Sequence, residues 1–356
     1  MKAIQLTVVV FLLIGAVPSP PNEAEKVLSG HESTVLSLAI DARGKYMASG
    51  SYDTDMILWD FPSGKMVQKY PQLNAGVWNV RISPDSKYVA FGSWDNNKNA
   101  KGSTHNCLGI VDLQTLGLVK LLSVTPDRYK TARFIPELDD STANGIRSIS
   151  FRPDGSQLAA ITNRGDLFIW DLNDHFRMTK RLYGDTQHRL LDMSPDWNYL
   201  VCCERKRTMV DSCFYFLSMA NDKIVARFDV PQKTVIRTFF SHNRQLIASI
   251  GGDRIKRNEI DVWDTATQQL KRTLIGHSNV IRSIDFSKDD RFLVSAGEDN
   301  LVNLWNVATG DLLATFTENN AKELTSVLFS ANDDYLVTGS QDKTIKYWRV
   351  ADLVKN

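Results

Sequence analysis

Cross-linking residues are scarce in this 356-residue sequence. It has four cysteines, too few for the disulfide framework of a small stapled domain. A chain of this length with 43% hydrophobic residues can bury a large core without cross-links. Cys202 and Cys203 lie on one strand of a predicted hairpin and Cys213 on the other, so one of the two could bridge Cys213 in an oxidising compartment. Register offsets Cys203 from Cys213 by one step, which favours buried free thiols, and Cys107 has no partner in the sequence.

Motifs for chemistry are also missing. The sequence has no glycine-rich phosphate loop, no cysteine–histidine cluster with zinc spacing and no nucleophile elbow. Four histidines are scattered along the chain, at His105, His175, His188 and His242. We therefore predict that the protein is not an enzyme and that it holds no metal or cofactor.

The charge balance excludes another class of function. A net charge of +1 argues against a nucleic-acid binder that relies on bulk positive charge. The basic run at residues 205–207 also lacks the interleaved aromatic residues on which bases stack. We predict no nucleic-acid partner.

One apolar run lies at the N-terminus. Lys2 precedes about fifteen mostly apolar residues, 3–17, which is shorter than the roughly 20 residues that span a bilayer. This pattern resembles a secretory signal peptide, which we place at residues 1–20, with the mature chain starting between Val17 and Glu23. We expect a periplasmic or extracellular protein with no membrane span after cleavage. The alternative is an uncleaved segment that anchors the protein to the membrane.

Repetition is the main feature that is present. Residues 276–316 contain alternating apolar runs separated by turn residues, which predicts four short antiparallel strands. The runs lie at residues 280–286, 292–296, 301–307 and 312–316. One four-stranded meander cannot bury both of its faces, so copies must stack beside it. Clear copies begin at Gly30, Asn144 and Ser326.

These repeats resemble the WD-repeat β-propeller family. The resemblance rests on the Gly276-His277 opening, the Leu304-Trp305 strand end and a spacing of roughly 40–45 residues. It implies an all-β fold, a seven-bladed β-propeller of four-stranded antiparallel blades that occupies residues 22–353. The seven units run approximately 30–70, 71–122, 144–183, 184–228, 229–274, 275–316 and 317–350. The second and fourth units depart from the pattern, because Val111-Asp112 and Phe216-Leu217 stand where Trp-Asp is expected.

The family also implies a structural hydrogen-bonded set of His, Ser or Thr, Asp and Trp within a blade. It is a structural tie between a turn and a strand, and we do not interpret it as a catalytic triad. The set maps onto His31, Ser49, Asp53 and Trp59, onto His277, Ser295, Asp299 and Trp305, and, without the His, onto Thr338, Asp342 and Trp348.

The last unit has only three strands. Residues 25–29 match residues 271–275, the outermost strand that precedes the other Gly-His pair. We therefore predict that this N-terminal strand pairs with residues 344–350 and closes the ring, which removes an open sheet edge.

Long loops gather at one end of the predicted ring. In a meander of strands a to d, the a–b and c–d turns share one end, and the b–c and d–a connections share the other. The long connections, at residues 95–106, 123–144, 205–210 and 253–258, all fall at the second end, where function usually resides. They are rich in cations, namely Lys98, Lys101, Arg128, Lys130, Arg133, Arg205, Lys206, Arg207, Arg254, Lys256 and Arg257, while Glu137, Asp139 and Asp140 oppose part of this charge.

A second set of cations is expected at the channel mouth on that same end. Arg282 lies five residues after His277, near the start of the innermost strand of its blade. The matching positions are Leu36, Trp78, Arg147, Arg189, Arg237 (assuming one residue fewer in that strand) and Thr325. Arginines with an aromatic residue are typical of binding hot spots, and guanidinium groups suit carboxylates. The predicted partner-binding residues are Trp78, Arg147, Arg189, Arg237, Arg282, Arg128, Lys130, Arg205 and Arg207.

Together these patterns favour an exported, monomeric, non-enzymatic scaffold for protein–protein interaction, which binds an acidic protein segment or another polyanion. The partner class follows partly from the resemblance, because a fold alone does not fix a function. Two alternatives remain: a binder of a small anionic ligand at the channel mouth, and an enzyme with its active site there.

Overall fold

The protein is all-β. The computed structural model describes residues 24–70, 75–94, 107–123, 145–163, 165–182, 188–204, 213–230, 235–251, 258–317 and 322–354. These residues form seven four-stranded antiparallel sheets arranged in a ring, a seven-bladed β-propeller. The predicted fold class is confirmed.

Each blade is a meander whose first strand faces the central channel and whose fourth strand lies outermost. In blades 1 to 3 the strands are β2 Val35–Ile40, β3 Tyr46–Ser51, β4 Met56–Asp60, β5 Lys65–Tyr70, β6 Gly76–Ile82, β7 Tyr88–Trp94, β8 Cys107–Asp112, β9 Leu118–Ser123, β10 Ile146–Phe151, β11 Gln157–Thr162, β12 Leu167–Asp171 and β13 Arg177–Leu182. In blades 4 to 6 they are β14 His188–Met193, β15 Tyr199–Glu204, β16 Cys213–Ser218, β17 Ile224–Asp229, β18 Val235–Phe240, β19 Leu246–Gly251, β20 Glu259–Asp264, β21 Leu270–Ile275, β22 Ile281–Phe286, β23 Phe292–Gly297, β24 Leu301–Asn306 and β25 Leu312–Thr317. Blade 7 combines β1 Lys26–Leu28 with β26 Leu324–Phe329, β27 Tyr335–Ser340 and β28 Ile345–Arg349, and a short helix, α1 Val350–Leu353, follows it.

The hydrophobic core lies between the blades. Within the described residues, seven clusters of buried side chains each combine residues of two neighbouring blades. Between blades 6 and 7, for example, Val302 and Leu304 pack with Leu336 and Trp348. The third strands are therefore buried on both faces and consist of almost continuous apolar residues, whereas an outer strand such as β5 is mostly exposed.

The N-terminal strand closes the ring as predicted. In the antiparallel pair of β1 and β28, Lys26 lies opposite Tyr347 and Leu28 opposite Ile345. Just before β1, the Glu25 amide donates to the Tyr347 carbonyl at 2.9 Å. Leu28 then joins the cluster between blade 7 and blade 1, so the first and last parts of the described chain share one core.

The predicted hydrogen-bonded sets are formed in blades 1 and 6. In blade 6, His277 Nδ1 lies 3.0 Å from Asp299, its Nε2 lies 2.7 Å from Ser295 Oγ, and Trp305 Nε1 donates to that same oxygen at 2.9 Å. The equivalent distances in blade 1 are 2.9, 2.7 and 2.8 Å, for the residues His31, Asp53, Ser49 and Trp59.

Blade 7 builds a variant of this set. Trp348 Nε1 donates to Thr338 Oγ1 at 3.1 Å. In this blade, which lacks the histidine, Lys346 Nζ donates to Asp342 at 2.9 Å, and Lys346 is itself buried. A lysine from the neighbouring strand position therefore supplies the cation that stabilises this carboxylate, which the sequence pattern did not predict.

Blade 4, which lacks the tryptophan, is stabilised by stacked aromatic rings. Phe214 and Phe228 stack with ring centroids 4.5 Å apart, and Phe214 meets Trp263 of blade 5 edge-on at 5.9 Å.

The same hairpin of blade 4 carries three of the four cysteines. Cys203 pairs with Phe214 across the strands, so it is offset from Cys213, and Cys202, Cys203 and Cys213 are buried thiols outside any disulfide bond, as favoured above. The side chain of Cys107 lies outside the described residues.

The tryptophan at the centre of a complete set should be a strong determinant of stability. Trp305→Ala should lower the free energy of unfolding by about 3–5 kcal/mol, because it leaves a cavity and removes a hydrogen bond from Ser295. Val111→Ala, at the matching position of blade 2, should cost less because valine is smaller and forms no such bond. Denaturant unfolding of both variants measures the order, and a larger loss for Val111→Ala would contradict the assigned equivalence of the two blades.

Candidate functional site

The ring has two ends. We call the end with the b–c and d–a connections the loop face, and the end with the a–b and c–d turns the turn face. The long basic loops on the loop face lie almost wholly outside the described residues. This applies to the predicted contacts Arg128, Lys130, Arg205 and Arg207, and to Lys98, Lys101, Arg133, Lys206, Arg254, Lys256, Arg257, Glu137, Asp139 and Asp140.

A cavity of about 430 Å³ opens at the loop-face mouth of the channel. This volume is within the range of small-ligand pockets. Its walls combine arginine, aromatic and aliphatic side chains from six of the seven blades. The lining residues are Thr34, Leu36, Tyr52, Trp78, Asn79, Ile146, Arg147, Asn163, Ile236, Arg237, Ile250, Val280, Ile281, Arg282, Glu323, Thr325 and Gln341.

A β-bulge in the innermost strand explains why these side chains meet. In all seven blades one residue of that strand has no partner on the second strand, and a bulge of this kind turns a side chain away from the regular alternation. Outside blade 4, the bulge residues meet in the cavity. The bulge residues are Leu36, Trp78, Arg147, Ile236, Arg282 and Thr325 in blades 1, 2, 3, 5, 6 and 7. All six line the cavity.

Two predicted rim positions differ in register from this pattern. In blade 5 the bulge residue is Ile236, whereas Arg237 pairs with Ile250, so the assumed omission of one residue in this strand was wrong. Arg237 nevertheless lines the cavity. In blade 4 the bulge lies between Leu190 and Asp192, while Arg189 pairs with Cys203 and is not among the lining residues.

The rim arginines donate hydrogen bonds to backbone carbonyls of other blades. Arg147 of blade 3 donates to the Ile236 carbonyl in blade 5, and Arg189 of blade 4 donates to the Val235 carbonyl at 2.7 Å. Arg237 donates to the Arg282 carbonyl in blade 6 at 3.4 Å. Two of these acceptors, Ile236 and Arg282, are bulge residues. Because a bulge interrupts the strand ladder, its carbonyl needs another donor, and an arginine supplies it.

The positive charge of this cluster is only partly neutralised. Arg282 forms an ion pair with Glu298, but no carboxylate of the described residues forms an ion pair with Arg147 or Arg237. Burial in the channel, followed by repulsion from Arg189 and Arg237, lowers the pKa of Arg147 to about 10. Burial, with repulsion from Arg81 and Arg282, lowers the pKa of Arg237 to about 10 as well. Both groups stay charged at neutral pH, and a bound anion would relieve their repulsion.

The turn-face end of the channel has a different chemistry. A second cavity, of about 520 Å³, shares Leu36, Asn79, Arg237 and Thr325 with the first, so the two belong to one channel. It is lined by both cations and carboxylates, the charged groups being Asp41, Arg81, Arg237, His242, Asp285, Lys288 and Asp333. Arg81 and Asp285 were not predicted from the sequence. They lie on the same innermost strands as the rim positions Trp78 and Arg282, three residues nearer the turn face.

The described residues contain no group of three or more histidine, cysteine, aspartate or glutamate side chains that could hold a metal ion. In this same part of the chain, no helix has the length and apolar character that crossing a membrane requires.

The fold and the channel define a class, the seven-bladed β-propellers. Within it, the family model for the WD domain, G-beta repeat (WD40), matches residues 22–60, 64–97, 268–306 and 310–349. The chain thus contains WD repeats in four places, within a seven-bladed β-propeller. Three of the matched segments begin at or before the outermost strand of one blade and end with the third strand of the next, so each sequence repeat links two blades.

Several curated proteins are similar over part of their length. The chain is 27% identical to WD repeat-containing protein SL1-17 of Schistosoma mansoni, over 41% of this chain and 53% of that protein. It is 25% identical to eukaryotic translation initiation factor 3 subunit I of Aspergillus fumigatus, over 57% of this chain and 52% of that protein. The protein transport protein SEC31 of Pyricularia oryzae is 25% identical over 84% of this chain but 22% of its own length. The chain thus spans about half the length of the first two relatives.

Asp285 should make stability depend on pH. Burial raises the pKa of this carboxyl to about 6, although the Phe329 amide donates to it at 2.9 Å and His242 and Arg81 lie nearby. The folded state therefore holds the proton more tightly than the unfolded chain, and stability falls as pH rises from about 4 to 6. Asp285→Asn keeps an acceptor for the amide, so it should be more stable than wild type at pH 7.5 by about 1–3 kcal/mol, and by little at pH 4.

Asp289 provides a control of opposite sign. Burial opposes its ionisation slightly, but hydrogen bonds from the Arg291 amide and from Ser287 lower its pKa overall. Asp289→Asn should therefore lose stability at neutral pH, with a smaller loss in acid. Chemical unfolding across this pH range measures both variants, and a pH-independent effect of Asp285→Asn would contradict the assigned state of Asp285.

Proposed function

We propose that the protein is a non-enzymatic interaction platform that binds an acidic segment of a partner protein at the loop-face cavity. WD-repeat propellers typically act as scaffolds for protein interactions. The observation that carries the proposal is the arginine cluster, in which Arg147 and Arg237 are fixed by backbone carbonyls of other blades and form no ion pair with a carboxylate of the described residues, although buried Asp192 lies near enough to attract both.

The cluster suits a carboxylate ligand in both charge and geometry. Guanidinium groups have five N–H donors, so one bond to a carbonyl leaves donors for a carboxylate. Positive charge around a concave opening also focuses the field and speeds the encounter with an anionic partner, in a manner that salt screens. The predicted cations of the long loops would extend this field. One relative is named as a subunit of a translation initiation factor, which fits a role that depends on protein contacts.

A small anionic ligand is the second candidate. The cavity volume of about 430 Å³ would hold a ligand of modest size without a protein attached to it. Competition between an acidic peptide and small carboxylates distinguishes the two candidates.

Charge reversal at the loop-face mouth tests the main proposal. Arg147→Glu combined with Arg282→Glu should weaken binding of a fluorescently labelled glutamate-rich peptide more than tenfold, or by about 1.4 kcal/mol or more. Lys87→Glu with Lys288→Glu places the same charge change on the turn face and should have little effect. Fluorescence anisotropy at low and high salt measures the affinities, after thermal melts have shown that both variants fold. Equal losses in the two variants, or an affinity that does not respond to salt, would contradict the proposal.

We also propose that the protein is exported and monomeric. The signal peptide assigned to residues 1–20 lies outside the described residues, and the propeller strands begin shortly after it at Lys26. Intact-mass measurement of protein from its native host should show a chain that begins between Val17 and Glu23. A full-length mass in the membrane fraction would favour the uncleaved anchor, and a full-length mass in the cytosol would exclude export.

A further inference from the structure

The wall of the loop-face cavity is chemically divided. Blades 3, 5 and 6 contribute Arg147, Arg237 and Arg282, whereas blades 1 and 2 contribute the aromatic pair Tyr52 and Trp78. The two aromatic rings meet edge-to-face, with centroids 5.6 Å apart. An arc of cations, with aliphatic residues between them, therefore faces an aromatic arc across one opening.

The aromatic arc is apolar surface that remains in contact with solvent. Tyr52 is 48% exposed and Trp78 is half-buried, and Leu36, the bulge residue of blade 1, lies in the same arc. Exposed aromatic side chains in a concave site mark places where a ligand buries apolar surface. A purely hydrophilic acidic segment would bind the arginines and leave these two rings exposed to solvent.

A carboxylate on the remaining part of the wall sets the orientation of a ligand. Glu323 belongs to blade 7, between blade 1 and blade 6, and accepts a hydrogen bond from Gln341. Its negative charge repels an anion from the side of blades 7 and 1. A bound carboxylate is thereby directed to Arg147 and Arg237, and the atoms next to it are directed to Tyr52 and Trp78.

We infer that the acidic segment presents a bulky apolar side chain next to its carboxylate, with Trp78 and Tyr52 forming the subsite for that apolar side chain. This inference rests on the proposed function. The carboxylate supplies the charge that the arginines need, and the apolar neighbour supplies the specificity, since an unselective polyanion would gain nothing from the aromatic arc.

Two labelled peptides of equal charge test the inference. One has phenylalanine beside a central glutamate, and the other has serine in its place. Wild-type protein should prefer the phenylalanine peptide by about tenfold, because burial of one large apolar side chain is worth at least that factor. Trp78→Ala and Tyr52→Ala should reduce this preference to less than about threefold, whereas Arg282→Gln should weaken both peptides by the same factor and leave the preference unchanged.

Controls separate this inference from the function on which it rests. Tyr52 is about half exposed, so Tyr52→Ala tests the arc with little risk to the fold, and Met66→Ala, at an exposed position of β5, should alter neither peptide. Equal affinity of wild type for the two peptides would overturn the apolar subsite and leave the proposed function intact. No binding of either peptide would overturn both. Displacement of the phenylalanine peptide by phenylacetate at micromolar concentration would assign the cavity to a free aryl carboxylate and overturn the peptide assignment.

Discussion

The antiparallel pairing of β1 with β28 joins the two ends of the described chain, and the geometry of every other part depends on it. A blade buries its faces only against its neighbours, so a ring with an open seam would leave the clusters of blades 7 and 1 half exposed. Leu28 lies at this seam, packed with Val337 and Tyr347 of blade 7 and Trp59 of blade 1. The offset between sequence repeat and blade has the same effect, because three of the matched repeats supply the outermost strand of one blade and the three inner strands of the next.

Closure of the ring also determines the chemistry of the channel. Seven innermost strands converge on one axis, so the bulge residues of six blades meet at the mouth, whereas Leu191 of blade 4 is buried in the core. The freed carbonyls of Ile236 and Arg282 are then satisfied by Arg147 and Arg237 from other blades. The same guanidinium groups thus brace the ring and concentrate charge, and desolvation together with mutual repulsion lowers the pKa values of Arg147 and Arg237. A rigid scaffold with seven buried interfaces holds these groups close together.

The fold was predictable because its determinants are local and repeated. The period of apolar runs, the loop histidines His31 and His277 and the match between residues 25–29 and residues 271–275 all lie within single repeats. The site was less predictable because its determinants cross between blades. No repeat pattern could place the blade 5 bulge at Ile236 instead of Arg237, or pair Arg189 with Cys203, since bulge position depends on strand register. In blade 7, Lys346 takes over the role of the missing histidine by donating to Asp342. Lys346 lies at a strand position that the family pattern does not include, so the pattern could not predict it.

The channel is also asymmetric from end to end. At the loop face, arginines predominate and meet an aromatic pair, whereas at the turn face the carboxylates Asp285 and Asp333 face Arg81 and Lys288. Opposite charges within the turn-face cavity compensate one another at short range, so they provide little attraction for a ligand of either sign. Arg237 lines both cavities and stands between the two regions. Among the described residues of the channel, the excess of positive charge therefore lies at the loop-face end. This coincidence of excess positive charge, aromatic surface and long predicted loops at one mouth makes the loop face, and not the channel as a whole, the part of the molecule that we propose for partner recognition.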